Sequence, residues 1–414
     1  MNPDPAHAAV ERVARASYGR LVAFLARRTG DVQSAEDAIA DAFAAALRTW
    51  PSDGVPDKPE AWLLRSAHNR VIDAARRDSV RDAAMPELAR LAQHAITMAE
   101  TSDTFPDERL AMLFACAHPA LDASVHTPLM LQAVLGLDAD AIASVFLVAP
   151  SAMGQRLVRA KQKLRQTGIR IEIPDADELD GRLEAVLSAI YAAYTARYND
   201  AGSLDPISGG IGLEAIELAR LMGVWMPQEP ETLGLLALLL YCEARSRARR
   251  GVSGEYVPLD SQDTTRWDRA MIGEAERLLT RAAQSAIAGR FQLEAALQSA
   301  HVHARLEGRI DHDAVLRLYA ILLETAPSIG AAVGQASAIA AAHGPAAGLR
   351  SLEAFGSDCD SYQPAWALRA DLLRQLGRHA EAEAAYNRAA GLSDDPAVRQ
   401  FLLARAATCG SSSP

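Results

Sequence analysis

The sequence predicts an all-α protein, and three observations carry that reading. Ala and Leu are abundant in a chain that is 50% hydrophobic but only 5% aromatic, and both are strong helix formers. The period-2 alternation of Val, Ile, Thr and aromatic residues that marks half-buried strands is scarce. Helix-length segments follow one another between Gly and Pro breaks along the whole 414-residue chain. At roughly 100–200 residues per domain, that length gives about three domains, with ample residues for a core.

Residues 8–29 and 33–50 read as two amphipathic helices parted by "TGD", where Gly30 ends the first and Asp31 or Ser34 opens the second. The proline-bearing run "WPSDGVPDKP" breaks the chain, and Pro59 begins a third helix, "PEAWLLRSAHNRVIDAARR". There Trp62, Leu63, Ala67, Val71 and Ile72 fall near one face, while Arg65, His68, Asn69, Arg76 and Arg77 spread over the others. Trp62 reads as a core residue of the apolar face and His68 as an exposed histidine. This module, residues 1–85, is followed by an acidic connector over 86–108 carrying Glu87, Glu100, Asp103, Asp107 and Glu108.

Charge separates the parts that follow. Residues 1–174 hold 20 basic and 21 acidic side chains, so that almost all of the net charge of −10 belongs to the remainder. Inside this near-neutral half, residues 65–81 carry five Arg against two Asp, and residues 151–170 carry Arg156, Arg159, Lys161, Lys163, Arg165 and Arg170 with no acid. Clustered positive charge on a helix is the footprint of phosphate-backbone contact. Residues 109–172 read as short helical pieces divided by Pro119, Pro128 and Gly136, closing on "DADAIASVFLV" and "APSAMGQRLVRAKQKLR". A short helix, a tight link and a basic helix with Ser151 as its N-cap have the shape of a helix-turn-helix. Ser151, Ala152, Gln155 and Arg156 then stand where base edges are read, and Arg159, Lys163 and Arg165 where phosphates are met. Met153, Leu157, Val158 and Leu164 read as the buried side.

In order and spacing these modules resemble a bacterial sigma factor of the extracytoplasmic-function type, over roughly residues 10–172. "SAEDAIADAFAAALRTWP" is similar to the family's polymerase-binding helix, "KPEAWLLRSAHNRVIDAARR" to its minus-ten reader (region 2), and the helix-turn-helix to its upstream-element reader (region 4). The resemblance implies that Glu36, Asp37, Asp41, Phe43 and Trp50 form or support the surface gripping the coiled coil of the largest subunit of core RNA polymerase. It also implies that Asn69, Arg70, Asp73, Arg76 and Arg77 face melted promoter DNA. Two positions depart from the family pattern: Ala40 stands where Gln is common, and His68 where Arg often precedes the Asn.

Residues 173–414 form an acidic helical extension. "PAWALRADLLRQLGRHAEAEAAYNRAAGL", near 364–392, resembles a tetratricopeptide repeat through Ala370, Leu373, Leu376, Gly377, Ala382, Tyr386 and Ala389. The whole is similar to the sigma subgroup with a fused C-terminal tetratricopeptide-like domain, although "YTARYND" and "VGQASAIA" look less regular. The expectation is a regulatory extension that masks the DNA-reading helices or seats a protein or peptide partner.

Nothing in the sequence predicts an enzyme, a cofactor or a metal. His301 and His303 are spaced i,i+2, which points them apart on a helix. "DSQDTTRWD" reads as a capped turn built on Asp263 or Thr264 with Arg266 paired locally, and "RSRARR" as a basic helix end. Cys116, Cys242, Cys359 and Cys409 stand far apart and read as reduced, and no signal peptide or membrane span is recognisable, so a cytoplasmic protein is expected. Two other classes compete with the sigma reading: a tetratricopeptide-like helical scaffold, and a DNA-binding regulator independent of polymerase.

Overall fold

The computed structural model describes residues 5–78, 107–146, 148–199, 206–285 and 287–410; within these, the side chains of 74–78, 176, 196–199, 206–211 and 357–358 are not described. The described residues are helical throughout, with no strand beyond an isolated bridge between Arg250 and Tyr256. They divide into two compact units: residues 1–197 with 205–218, and residues 198–204 with 219–414.

In the first unit, α1 (Pro5–Thr29) packs against α2 (Val32–Asp53) and α3 (Pro59–Asp78). Leu21, Val22, Ala23, Phe24, Leu25 and Ala26 fill the core with Ile39, Ala42, Leu63 and Leu64. Gly30 closes α1, and the Asp31 carboxylate caps α2 by accepting from the backbone N–H groups of Gln33 and Ser34 at 3.0 and 3.3 Å. The second helix runs on through Pro51 to Asp53, past the break expected at Trp50. The connector lies outside the described residues up to 106, and the chain resumes in α4 (Arg109–Cys116), α5 (Ala123–Ala133), α6 (Ala139–Val145) and α7 (Pro150–Thr167). Every residue of α4 is buried. Pro128 sits inside α5 and does not divide it; as the sixth residue it forgoes only the one bond that an N–H would make to the Ser124 carbonyl. Asp122 and Asp138 cap α5 and α6. The unit also takes in α8 (Ala176–Asn199) and the first part of α9 (Pro206–Trp225).

In the second unit, α10 (Pro230–Ala244) is buried along nearly its whole length, between α11 (Arg269–Ala282) and α12 (Arg290–Glu307). The Glu231 carboxylate reaches across to the start of α12 and accepts from the backbone N–H of Phe291 and Gln292 at 2.9 and 3.1 Å. The chain then proceeds through α13 (His312–Thr325), α14 (Ile329–His343), α15 (Pro345–Glu353), α16 (Gln363–Gln375), α17 (His379–Gly391) and α18 (Pro396–Gly410), each packed on the next or next but one. "VGQASAIA" proves to be regular helix within α14. Ala370, Leu373, Ala382, Tyr386 and Ala389 meet in one core with Leu402 and Ala406 of α18. Asp263 caps a short 3-10 turn by accepting from Thr265 N, and Arg266 donates to the Arg250 carbonyl at 2.8 Å.

Candidate polymerase and nucleic-acid interface

The acidic residues of α2 differ sharply in environment. Glu36 is buried, and its Oε2 accepts from Lys161 Nζ of α7 at 2.6 Å, while Oε1 has no partner. Burial raises the Glu36 pKa, and the opposing attraction of Lys161 does not cancel that rise. Asp37 is exposed and accepts from Gln33 Nε2 at 2.9 Å. Asp41, also exposed, pairs with Arg70 of α3 at 2.5 Å. Phe43 is half-buried, and Trp50 is buried with its indole meeting Trp62 edge-on at 5.6 Å. Asp37 and Asp41 therefore form the outward acidic face, while Trp50 is buried toward the far end of the same helix against Trp62.

On α3, Asn69 and Asp73 are exposed and Arg70 is half-buried, so this trio shares a solvent-facing stripe beside α2. The side chains of Arg76 and Arg77 lie outside those described. Trp62 is half-buried, not fully internal. His68 departs from expectation: it is 2% exposed and both ring nitrogens lack a partner. Burial lowers its pKa, favouring the neutral ring. It has one apolar turn of helix on each side, Leu64 and Ile72, a spacing that foreshadows burial.

Helices α6 and α7 are bent by 110° about their short link, within the range of helix-turn-helix pairs. Helix α7 opens with Ala149 as N-cap and Pro150 at its first position, so Ser151 lies inside the first turn and does not cap. Pro fills that position well because its missing N–H would have been unsatisfied there. Ser151, Gln155, Arg156, Arg159, Lys163 and Arg165 are all exposed. Val158, expected in the core, is 59% exposed and lines an open concavity with Ser151, Gly154, Gln155 and Arg159. Its buried place is taken by Ala160 and Lys161, which share the inner stripe with Met153, Leu157 and Leu164. The outer face thus offers guanidinium, ammonium, amide and hydroxyl groups around one apolar contact, a set able to meet phosphates and base edges. Arg165 leans back toward Asp31 at 3.5 Å.

Sequence reasoning passed over a second charged cluster in the same unit. Arg109, 3% exposed, donates to both carboxylate oxygens of Asp107, at 2.9 Å from Nε and 2.6 Å from Nη2, and pairs with Glu214 of α9. Burial would raise the Asp107 pKa, but the Arg109 contacts and Arg20 together hold it below the usual range. Its neighbour Glu108 is paired with Arg27 and lies 4.0 Å from Arg28, both on α1. In the sequence Asp107 and Glu108 read only as the end of the acidic connector, and the Arg109 partner 105 residues away leaves no local trace. Among the described residues no group of three His, Cys, Asp or Glu is placed to hold a metal ion, and no single helix is long and apolar enough to cross a membrane.

Comparison with known proteins places these features. Residues 13–81 match the sigma-70 region 2 family, and residues 182–283 match a family of unknown function, DUF6596. The chain is 36% identical over 382 residues to the uncharacterized protein R00370 of Rhizobium meliloti (strain 1021), spanning 91% of this chain and 90% of that one. No solved structure matches. The region 2 match covers α1, α2 and α3, a domain that in general binds core RNA polymerase and promoter DNA. The chain therefore carries a sigma-70 region 2 domain over residues 13–81, and belongs to one family with R00370 along nearly its whole length.

Proposed function

We propose that this protein is a sigma factor of the extracytoplasmic-function type: it binds core RNA polymerase through α2, opens the minus-ten element with α3, and reads an upstream duplex element with α7. The observation that carries this reading is the joint presence of a region 2 domain and, in the same compact unit, a basic helix with an open polar face at the end of a 110° helix pair. Initiation requires one protein to hold two DNA segments and a polymerase together, and these surfaces supply the contacts. The chemistry belongs to the polymerase, so the chain itself is no enzyme, and its place of action is the cytoplasm. The acidic extension, with a tetratricopeptide-like pair in α16 and α17, serves as its regulatory part. Size-exclusion chromatography of the full chain with core polymerase, followed by run-off transcription from selected promoter fragments, tests the proposal. A polymerase complex that initiates at defined sites is the expected result. A chain that binds duplex DNA but never polymerase would favour the polymerase-independent regulator.

A further inference from the structure

We propose that α7 is an internal competitor for the polymerase-binding face of α2: the closed form seen here withholds Glu36 from polymerase while leaving the outer face of α7 open to duplex DNA. This rests on the polymerase reading of α2 given above.

The centre of the seam is the Glu36–Lys161 pair. Both residues are under a tenth exposed, and Glu36 Oε1 is left unpartnered. A buried ion pair of this kind contributes little net stability over an apolar replacement, and its best-attested use is to fix one arrangement against another. Two glycines fix how closely the elements approach. Gly19 lies inside α1, and a Cβ there would overlap the carbonyl of Val134 at the end of α5. Glycine inside a helix costs about 0.5–1 kcal/mol relative to Ala, and here it permits backbone contact. Gly136, with φ at 69°, receives the ring of Tyr18, whose Cδ1 would lie 2.7 Å from any added Cβ.

Around this centre the seam is polar. Arg165 faces Asp31 at 3.5 Å, Arg20 faces Asp107 at 3.8 Å, and Arg27 pairs with Glu108. These pairs are partly exposed and exchange readily for water, so opening the rim costs little. The outer side of α7, from Ser151 through Gln155 and Arg159 to Lys163, takes no part in the seam. Closure is therefore selective: it removes one carboxylate from the polymerase face and, apart from the still exposed Arg165 at the rim, engages none of the DNA-facing cations.

The Cys116 thiol reports the seam without engineering. It is fully buried on α4 and feels the charges of both Glu36 and Lys161. The test compares the full wild-type chain with Gly19→Val, whose side chain forces α1 from Val134 and lies outside the proposed polymerase and DNA contacts. Lys161→Met, which keeps the apolar stem but strands the Glu36 carboxylate, is the second variant and decides the matter should Gly19→Val fail to fold. The readouts are the alkylation rate of Cys116 by peptide mass spectrometry, affinity for core polymerase, and affinity for duplex DNA at fixed salt. Where the open state is a minor population, opening raises apparent polymerase affinity by the inverse of that fraction, and about tenfold is expected, with faster Cys116 alkylation and DNA affinity unchanged. Faster alkylation with wild-type polymerase affinity would overturn the competitor proposal alone. Faster alkylation with no polymerase binding by either chain would overturn the sigma reading and this proposal with it. Unchanged alkylation in both folded variants would show that there is no seam to open.

Discussion

Replacing Arg109 by Ala gives the largest loss of stability expected from a single polar side chain in the first unit. Its guanidinium is 3% exposed and joins Asp107, just before α4, to Glu214 of α9. Removal strands Glu214, only 17% exposed, and leaves Asp107, 22% exposed, with Arg20 alone at 3.8 Å. Breaking a buried pair from one side costs about 3–5 kcal/mol, because the remaining charge stays out of water. For a unit of about 200 residues each kcal/mol moves the midpoint by roughly 2–4 °C, so a fall of about 10 °C is expected. Glu217→Gln is the control: its carboxylate lies 4.0 Å from the same guanidinium but is 64% exposed, and its loss costs at most about 1 kcal/mol. Thermal unfolding of the full chain gives the midpoint, and amide exchange in peptides from α1, α4 and α9 assigns the loss to this unit. An Arg109→Ala midpoint within about 2 °C of the Glu217→Gln control would refute the reasoning, since it would mean the cluster is solvated in solution.

Two further outcomes concern His68 on α3 and the lysines of α7. Because His68 is buried with its folded pKa lowered, the unfolded chain takes up the proton first. Its contribution is complete above about pH 6.5 and is lost as pH falls through that value toward the folded pKa, by no more than about 1.4 kcal/mol per pH unit. His68→Met should flatten the denaturation midpoint of α3 between pH 7.5 and 5.5, and an unchanged slope would count against burial of a neutral ring. On α7, Lys163→Ala should reduce the slope of log affinity for duplex DNA against log salt by about 1, whereas Lys161→Ala should leave it alone because Lys161 is turned inward. Equal effects from the two lysines would refute the assignment of inner and outer faces.

Much of the helical order was legible because each boundary carries a local chemical cause. Asp31 as cap, Pro59 as first helical residue and the Gly30 break lie where composition puts them. The failures are as local in origin. Ser151 stands as the expected cap of the basic helix, but Pro150 takes the first helical position ahead of it. Val158 and Lys161 exchanged places: hydropathy assigns the valine inward, yet the 3.6-residue period through Met153, Leu157, Ala160 and Leu164 carries Lys161 with it. That choice needs a buried carboxylate 125 positions earlier, which no window along the chain contains. Arg109 with Glu214 is the same case. Gly19 did leave a trace, since glycine within a helical pattern usually marks close approach.

Helix α8 and the start of α9, with Glu214, belong to the first compact unit although they lie beyond residue 173. A shuffling event or a cloning boundary placed at residue 173 would carry away α8 and Glu214, leaving the first unit short of part of its own interior. The extension is thus not a detachable passenger. A chain cut there would keep Asp107 beside Arg109 but lose both Glu214 and Glu217.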